Sequence, residues 1–396
     1  MTEGITTAQV LLGDRLVGML EWRAGRAQFR YLDRAADRPV LGLQYEYNPR
    51  KIEKAVGGRL PSWFGNLLPE PESGLRRLVT AQLGLKAVSD FTLLTHLGQD
   101  LPGAVRVIGE ETHAESGPEG DGPHPATRKM SFSLAGMQVK LSMARTPEGF
   151  RYVGVGGDWI VKFPSSRHDL LPENEHSMMT WSAMAGIEVP EHTLTRVGAL
   201  ENIPSELEAH GRQAFAIRRF DRLGGLRIHQ EDFAQVFGVL PHEKDRGRAE
   251  DVGRVIQQEC PDDLEEYVRR ITACVVMGNT DEHLKNWSLQ YPGGRRRRLS
   301  PAYDLVCVTS YPAFQKDVLT LPLNGQPDTR YITLDHFRGF AETVGADPAA
   351  VTATVRHTVH ALADSWPEVK RHCPVPAFVA AHLDERLQNL PLVKEV

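Results

Sequence analysis

The chain has 396 residues, with 46 Lys and Arg against 51 Asp and Glu, a net charge of −5 and 24% charged residues. That is an ordinary globular composition with room for two or three domains, and its charge gives no global attraction to nucleic acid or a membrane surface. Cys260, Cys274, Cys307 and Cys373 are far apart, no start resembling a signal peptide is present, and no apolar run nears the ~20 residues that cross a bilayer, so a reduced, cytoplasmic, soluble protein is expected.

Alternating residues predict strands at Gln9–Leu12, Val17–Trp22 and Ala27–Tyr31, separated by Gly- and Asp-containing turns. Helical patterns follow near Gly74–Leu83 and Asp90–Leu97, the second with Ser89 as N-cap. Residues 1–108 therefore read as a small α/β subdomain. Residues 109–127, rich in Gly, Pro, Glu and His, cannot offset their ordering entropy by burial and read as a flexible linker.

Strands resume at Met130–Leu134, Val139–Met143, Arg151–Val153 and Trp159–Phe163, a pattern that predicts a small antiparallel sheet. A helix is expected over Pro172–Ala185, opened by proline and stopped by Gly186. Two more strands follow, near Thr193–Arg196 and Phe215–Phe220. From 229 to 396 the chain reads as mostly helical, and Leu264, Val268, Ile271 and Val275 give one helix a buried face. The expected fold is α+β and two-lobed, with a strand-rich lobe over 128–228, a helical lobe over 229–396 and a cleft between them.

Phosphoryl transfer asks little of a protein. It needs a carboxylate near the attacking hydroxyl, metal ligands, a cation for the phosphates and a backbone cover. Asp281 and Asn286 form D-x-x-x-x-N directly after the buried helix, the spacing of a kinase catalytic loop. The plainer reading is a helix C-cap and turn. Asp304 follows a hairpin and, with Asn286, offers the hard oxygens that Mg²⁺ prefers. Singly, it is an ordinary turn aspartate.

Lys162, inside the apolar strand Trp159–Phe163, suits nucleotide phosphates unless it is an edge lysine facing water. Glu173 and Glu175 open the next helix and either pair with Lys162 or merely complement the helix dipole. Ser131–Lys140 joins two strands through small residues. It could cover phosphates with backbone N–H groups, or it is a plain hairpin. His229 is expected to line the cleft and Asp232 to cap the helix after it, while His283 with Asp281 is too little for a zinc site. The Arg295–Arg298 run reads as a solvated hairpin tip.

Taken in order, these blocks resemble the HipA family of bacterial Ser/Thr kinase toxins over nearly the whole chain. The resemblance lies in Trp63–Pro69, Leu97–Ala104, Ser133–Leu141, Trp159–Pro164, Glu173–Glu175, Arg219–Arg222, His229–Phe233, Gly278–Asn286 and Pro301–Leu305. It implies that Asp281 is the catalytic base and that Asn286 and Asp304 hold Mg²⁺. ATP would be contacted by Lys162, by Ser133, Ala135, Gly136, Gln138 and Lys140 of the phosphate loop, by Phe220 at the adenine-side hinge and by His283. Glu175, His229 and Asp232 would support the site.

The resemblance further implies autophosphorylation at Ser133, where added charge would repel ATP and switch the enzyme off. It implies a helix-turn-helix HipB-like antitoxin dimer that carries operator DNA, and an aminoacyl-tRNA synthetase, the glutamyl enzyme first, as protein substrate. No membrane partner is implied. Arg218 is a departure, since an acidic residue is expected before Arg-Phe-Asp-Arg. The alternatives are a small-molecule kinase, which has no need of the N-terminal subdomain, and a non-catalytic co-repressor acting with an antitoxin.

Overall fold

Period-two alternation builds the first sheet. The computed structural model describes the chain apart from residues 1–5, 24, 33–36, 49, 56–58, 72, 83–87, 111–137, 209–211 and 315–316. Strands β1 (Thr6–Leu12), β2 (Arg15–Arg23) and β3 (Arg26–Tyr31) form an antiparallel meander. Ala8, Val10, Leu20, Ala27 and Phe29 are buried, as one inward face requires.

Two strands without a sequence signal complete the order β4-β3-β2-β1-β5: β4 (Ile52–Ala55) and β5 (Val105–Gly109). β4 is only four residues long and half charged, too short for a period. Helix α1 (Leu43–Tyr47) precedes β4 in the chain, and α2 (Ser62–Gly65), α3 (Gly74–Gln82) and α4 (Asp90–Leu97) lie between β4 and β5. Ser89 caps α4, its hydroxyl accepting from the Thr92 N–H at 3.1 Å. The expected linker from residue 111 on, the expected strand Met130–Leu134 and the loop residues Ser133, Ala135 and Gly136 lie outside the described residues.

The second sheet has the order β10-β7-β6-β8-β11-β9. Its strands are β6 (Lys140–Arg145), β7 (Phe150–Tyr152), β8 (Trp159–Lys162), β9 (His192–Arg196), β10 (Leu200–Glu201) and β11 (Gln213–Arg218). It is not purely antiparallel as expected, because the two-residue β10 pairs parallel with β7. Helix α5 (Leu171–Met184) crosses from β8 to β9, with Pro172 in its first turn. Its Trp181 indole donates to the Leu362 carbonyl at 2.9 Å, tying this lobe to the next.

The second lobe holds α6 (Phe233–Phe237), α7 (Ala249–Glu259), α8 (Leu264–Met277), α9 (Leu334–Val344), α10 (Pro348–His372) and α11 (Ala377–Asn389). Small sheets are set among them. The hairpin β12 (Arg222–Leu223) and β13 (Leu226–Arg227) leads into β14 (His229–Asp232), which pairs with β15 (Ser288–Tyr291) and through it with β16 (Arg298–Leu299). Strands β17 (Val318–Leu323) and β18 (Gln326–Asp328) form another hairpin.

The result is the two-lobed, kinase-like α+β fold expected, with an extra N-terminal α/β subdomain. That subdomain shares its core with the second sheet: Val10, Phe29 and Trp63 belong to one buried cluster with Leu141, Trp159 and Val161. Among the described residues, no helix is long and apolar enough to cross a membrane.

Candidate active site

Helix α8 ends at Gly278, which sits at φ +71° in the left-handed region. A Cβ there would lie 2.0 Å from Thr309 Oγ1 and 3.2 Å from Arg386 Cζ, so the chain turns at this point only as glycine. Arg386 of α11 donates to the carbonyls of Val275 at 2.6 Å and Val276 at 3.0 Å, and pairs with Asp317 at 2.6 Å. A buried cation thus caps the last turn of the helix that delivers the loop.

Within the loop, the Asn286 amide nitrogen donates to the Asp281 carbonyl at 3.1 Å. Its nitrogen engaged, the amide keeps its oxygen free for a cation. Asn279 donates to Glu282 at 2.7 Å. The turn reading holds, and the turn is what presents Asp281 to the cleft. The Asp281 side chain is exposed where it lines the cleft. Burial on its other sides, with the charges of Asp304, Asp245 and Glu70, pushes its carboxyl up to about 6 against the pull of Lys244. A carboxylate tuned that way suits general-base work near neutral pH.

Lys162 is no edge lysine. Strand β8 lies between β6 and β11, and Lys162 is buried. Its Nζ is 2.5 Å from Glu175 Oε1 and 2.6 Å from Asp304 Oδ1. Of the two helix glutamates, Glu175 is the buried one that makes this pair. Burial would lower the ammonium, but Asp304 and Glu175 outweigh it and hold it well above its usual range. Burial raises Glu175 to about 7 against the Lys162 charge. Burial would also raise Asp304, yet Lys162 and Lys140 hold it well below the carboxylate range. Asp304 has φ +62°, a conformation that costs a non-glycine residue about 1 kcal/mol and that clusters at functional sites.

Lys140 stands directly opposite Lys162 in the β6–β8 register. Burial and the Lys162 charge lower it to about 8.

These groups face one cleft of about 590 Å³, a size that suits a nucleotide. Gln138, Lys140, Lys162, Glu175, Phe220, Asp281, His283, Asn286 and Asp304 all line it. At one end the Phe220 ring lies 5.5 Å from that of Tyr303. Gln138 donates to the Phe163 carbonyl at 2.7 Å, which fixes the start of β6. Burial, with Lys244 and Lys285, lowers His283 to about 3 and keeps it neutral. Asp232 lines the cleft too. It caps α6 in a reciprocal pair with Gln235 and holds Lys285 at 3.0 Å.

His229 is a correction. It does not reach the cleft. Alternation along β14 turns Gln230 and Asp232 toward the cleft and His229 and Glu231 toward the N-terminal subdomain. There His229 Nε2 is 2.8 Å from the Leu41 carbonyl, between the Trp63 and Tyr291 rings. Glu231 accepts from the Leu43 N–H at 2.8 Å and the Trp63 indole at 3.0 Å.

The arginine run makes ion pairs that its pattern does not announce. Arg295 pairs with Glu46 at 3.0 Å, Arg297 with Glu259 at 3.3 Å and Arg298 with Glu188 at 2.8 Å. Arg296 is exposed and the Arg295 and Arg298 side chains stay 40% and 41% exposed, so the run is solvated as expected but also staples neighbouring elements. Arg218, the departure, lies on the cleft rim 3.5 Å from Glu191.

No local pattern announces the buried clamp between Asp100–Gly103 and the end of β11. Arg219 reaches Asp221 at 2.9 Å and Asp100 at 3.2 Å, and Arg222 reaches both acids at 2.9 Å. Asp221 in turn accepts from the Gly103 N–H at 2.7 Å. The Trp63–Pro69 segment also reaches the loop of Gly278–Asn286, where the Lys285 ammonium donates to the Asn66 carbonyl at 2.6 Å.

Comparison with known proteins agrees with this geometry. The HipA N-terminal domain family matches residues 8–108, and the HipA-like C-terminal domain family matches residues 132–366. Y4dM of Sinorhizobium fredii, named as a candidate kinase, is 38% identical over 347 residues, covering 85% of this chain and 83% of its own. Y4mE of the same organism, named likewise, is 28% identical over 356 residues and 80% of each chain. Among solved structures, HipA of Shewanella oneidensis MR-1, in its complex with HipB and operator DNA, has a TM-score of 0.71 at 21% identity. That match covers 98% of this chain and 99% of the other, and it shows a shared fold.

Proposed function

We propose an activity from one premise: the chain belongs to the HipA family. It is an ATP- and Mg²⁺-dependent protein Ser/Thr kinase, the toxin of a HipA/HipB-type module. The observation that carries this reading is Lys162 held between Glu175 and Asp304, facing Asp281 and Asn286 across one cleft.

In this reading Asp281 accepts the proton of the attacking hydroxyl, for which its raised pKa suits it. Asp304 and the Asn286 amide oxygen would hold Mg²⁺, a hard-oxygen pair that fits the ion, and the bound ion would offset charge on the phosphates. Lys162 and Lys140 bind the phosphates, with Glu175 orienting Lys162. Phe220 takes the adenine side, and neutral His283 closes the site beside Asp304. Residues 1–108, 109–127, 128–228 and 229–396 act as subdomain, linker, first lobe and second lobe.

The substrate is proposed to be a protein, an aminoacyl-tRNA synthetase and first the glutamyl enzyme. The added N-terminal wall of Asn66, Glu70 and Arg77 supports a protein over a metabolite. Ser133, in the phosphate loop of the sequence, is the proposed self-modified off-switch. A HipB-like antitoxin dimer is the proposed partner and carries operator DNA, in keeping with this chain's net charge of −5. The cytoplasm is the proposed setting.

The test is transfer of label from γ-labelled ATP, with Mg²⁺, to the protein itself and to a bacterial lysate. Wild type should label the Ser133 peptide or a synthetase, and Asp281→Ala and Asp304→Ala should label neither. No labelled protein from wild type sinks the reading. Label entering a metabolite favours the small-molecule kinase, and nucleotide binding without transfer favours the co-repressor.

A further inference from the structure

Most cations that line the cleft already have an acid. Lys162 has Glu175 and Asp304, Lys285 has Asp232, Arg219 has Asp221 and Asp100, and Arg218 has Glu191. Lys140, Arg167 and Arg77 have no carboxylate partner among the described residues. Arg77 differs from the other two in its origin, because it comes from α3 of the N-terminal subdomain.

Arg77 is exposed and lines the cleft, and the packing of Gly74 at the start of the same helix shows what lies beside it. A Cβ on Gly74 would lie 2.9 Å from Val139 Cγ2 and 4.0 Å from Arg77 Nη2. The start of α3 therefore rests on Val139, the residue between Gln138 and Lys140, and the Arg77 guanidinium lies beside that contact. The segment leading into α3 is pinned to the other side of the site. Glu70 pairs with Lys244 at 2.8 Å, and Asn66 receives Lys285 at 2.6 Å. Its wall thus spans from the end of the phosphate loop to the residues flanking Asp281. In the kinase reading the transferred phosphate moves toward Asp281, along the cleft that this wall lines.

We propose that Arg77 is a nucleotide-binding residue, supplied by the N-terminal subdomain of the same chain, whose guanidinium takes the terminal phosphate of a nucleoside triphosphate. A planar guanidinium makes two parallel hydrogen bonds to a phosphate, and an unpaired one gives up no ion pair to do so. The subdomain is then part of the kinase site as well as a platform beside it. This assignment rests on the kinase reading above.

Calorimetric titration of the full chain with Mg²⁺ and either AMP-PNP or ADP tests it. Arg77→Ala should weaken AMP-PNP roughly tenfold, the loss of one charge-assisted contact, and leave ADP within about twofold. Arg77→Lys should recover part of the loss. Equal losses for both nucleotides, or none for either, overturn the assignment. Unchanged nucleotide affinity with a raised KM for the protein acceptor also overturns it and gives Arg77 to the acceptor. Wild type that binds neither nucleotide fails the kinase reading, and the assignment with it, whereas wild type that binds both leaves Arg77 judged by its variant alone.

Discussion

Two sets of buried charge lie at the two ends of neighbouring strands, and they are built in opposite ways. In the clamp, Arg219 and Arg222 meet Asp100 and Asp221, two cations on two acids, with backbone groups filling further bonds. Burial would raise Asp221, but Arg219 and Arg222 outweigh it and hold the carboxyl at about 2. In the cleft, one ammonium is shared by Glu175 and Asp304, Lys140 has no acid partner among the described residues, and Asp281 and Glu175 are pushed up to about 6 and 7. Charge that only joins subdomains is matched within the protein. Charge that is to meet a ligand is left unmatched, and the ligand completes it.

The largest expected effect breaks the cleft side. Asp304→Ala should lower phosphotransfer by about 10⁴-fold while thermal unfolding stays within a few degrees of wild type. A variant that keeps its rate would mean that Asp304 is a structural partner of Lys162, no different in kind from Asp100. The clamp should answer the other way. Asp100→Ala leaves two buried guanidiniums short of an acid, and about 3–5 kcal/mol of stability should be lost in urea unfolding. The Asp221 share of clamp stability should be fully present above its unfolded value near 4 and vanish as pH falls through about 2. Phosphotransfer per folded molecule should change far less than stability does.

Much of this was legible along the chain, and the limit has a physical cause. Lys162, Glu175, Asp281, Asn286 and Asp304 each sit on an element whose period or turn chemistry is local, and they line one cleft. His229 departs from its expected place because a side chain's face depends on strand register, and β14 is a paired strand that turns His229 away from the cleft. Asp100 with Arg219 and Gly278 with Arg386 are contacts between residues more than 100 positions apart, which no local pattern encodes.

Arg386 gives that last point a measurable form. A lone arginine between Leu383 and Leu390 looks like a solvated helix position, yet it is buried against the end of α8. Arg386→Met removes the carbonyl caps and leaves Asp317 without its cation, for a loss of about 2–3 kcal/mol in urea. If the loop it holds is also displaced, turnover should fall with stability. Loss of stability alone would make Arg386 a strut like the clamp.

The smallest expected effect is the sharpest test of the contrast, because it fixes a sign. The Asp281 carboxyl is raised from about 4 when unfolded to about 6 when folded, so between those values the folded state binds more protons than the unfolded one. This residue's contribution to stability must therefore fall as pH rises from about 4 to about 6, whereas that of Asp221 rises with pH at lower values. Turnover should move the other way, climbing through about 6 as the base is freed. Asp281→Asn removes the charge that burial disfavours, so at pH 7 it should be slightly more stable than wild type, by less than about 1 kcal/mol because the side chain opens to solvent. Melting curves of the two proteins across pH 4 to 7 should start together and separate as pH rises. If Asp281→Asn is instead destabilised at pH 7, the wild-type carboxylate is being paid for by partners inside the protein, and Asp281 belongs with the clamp and not with the chemistry.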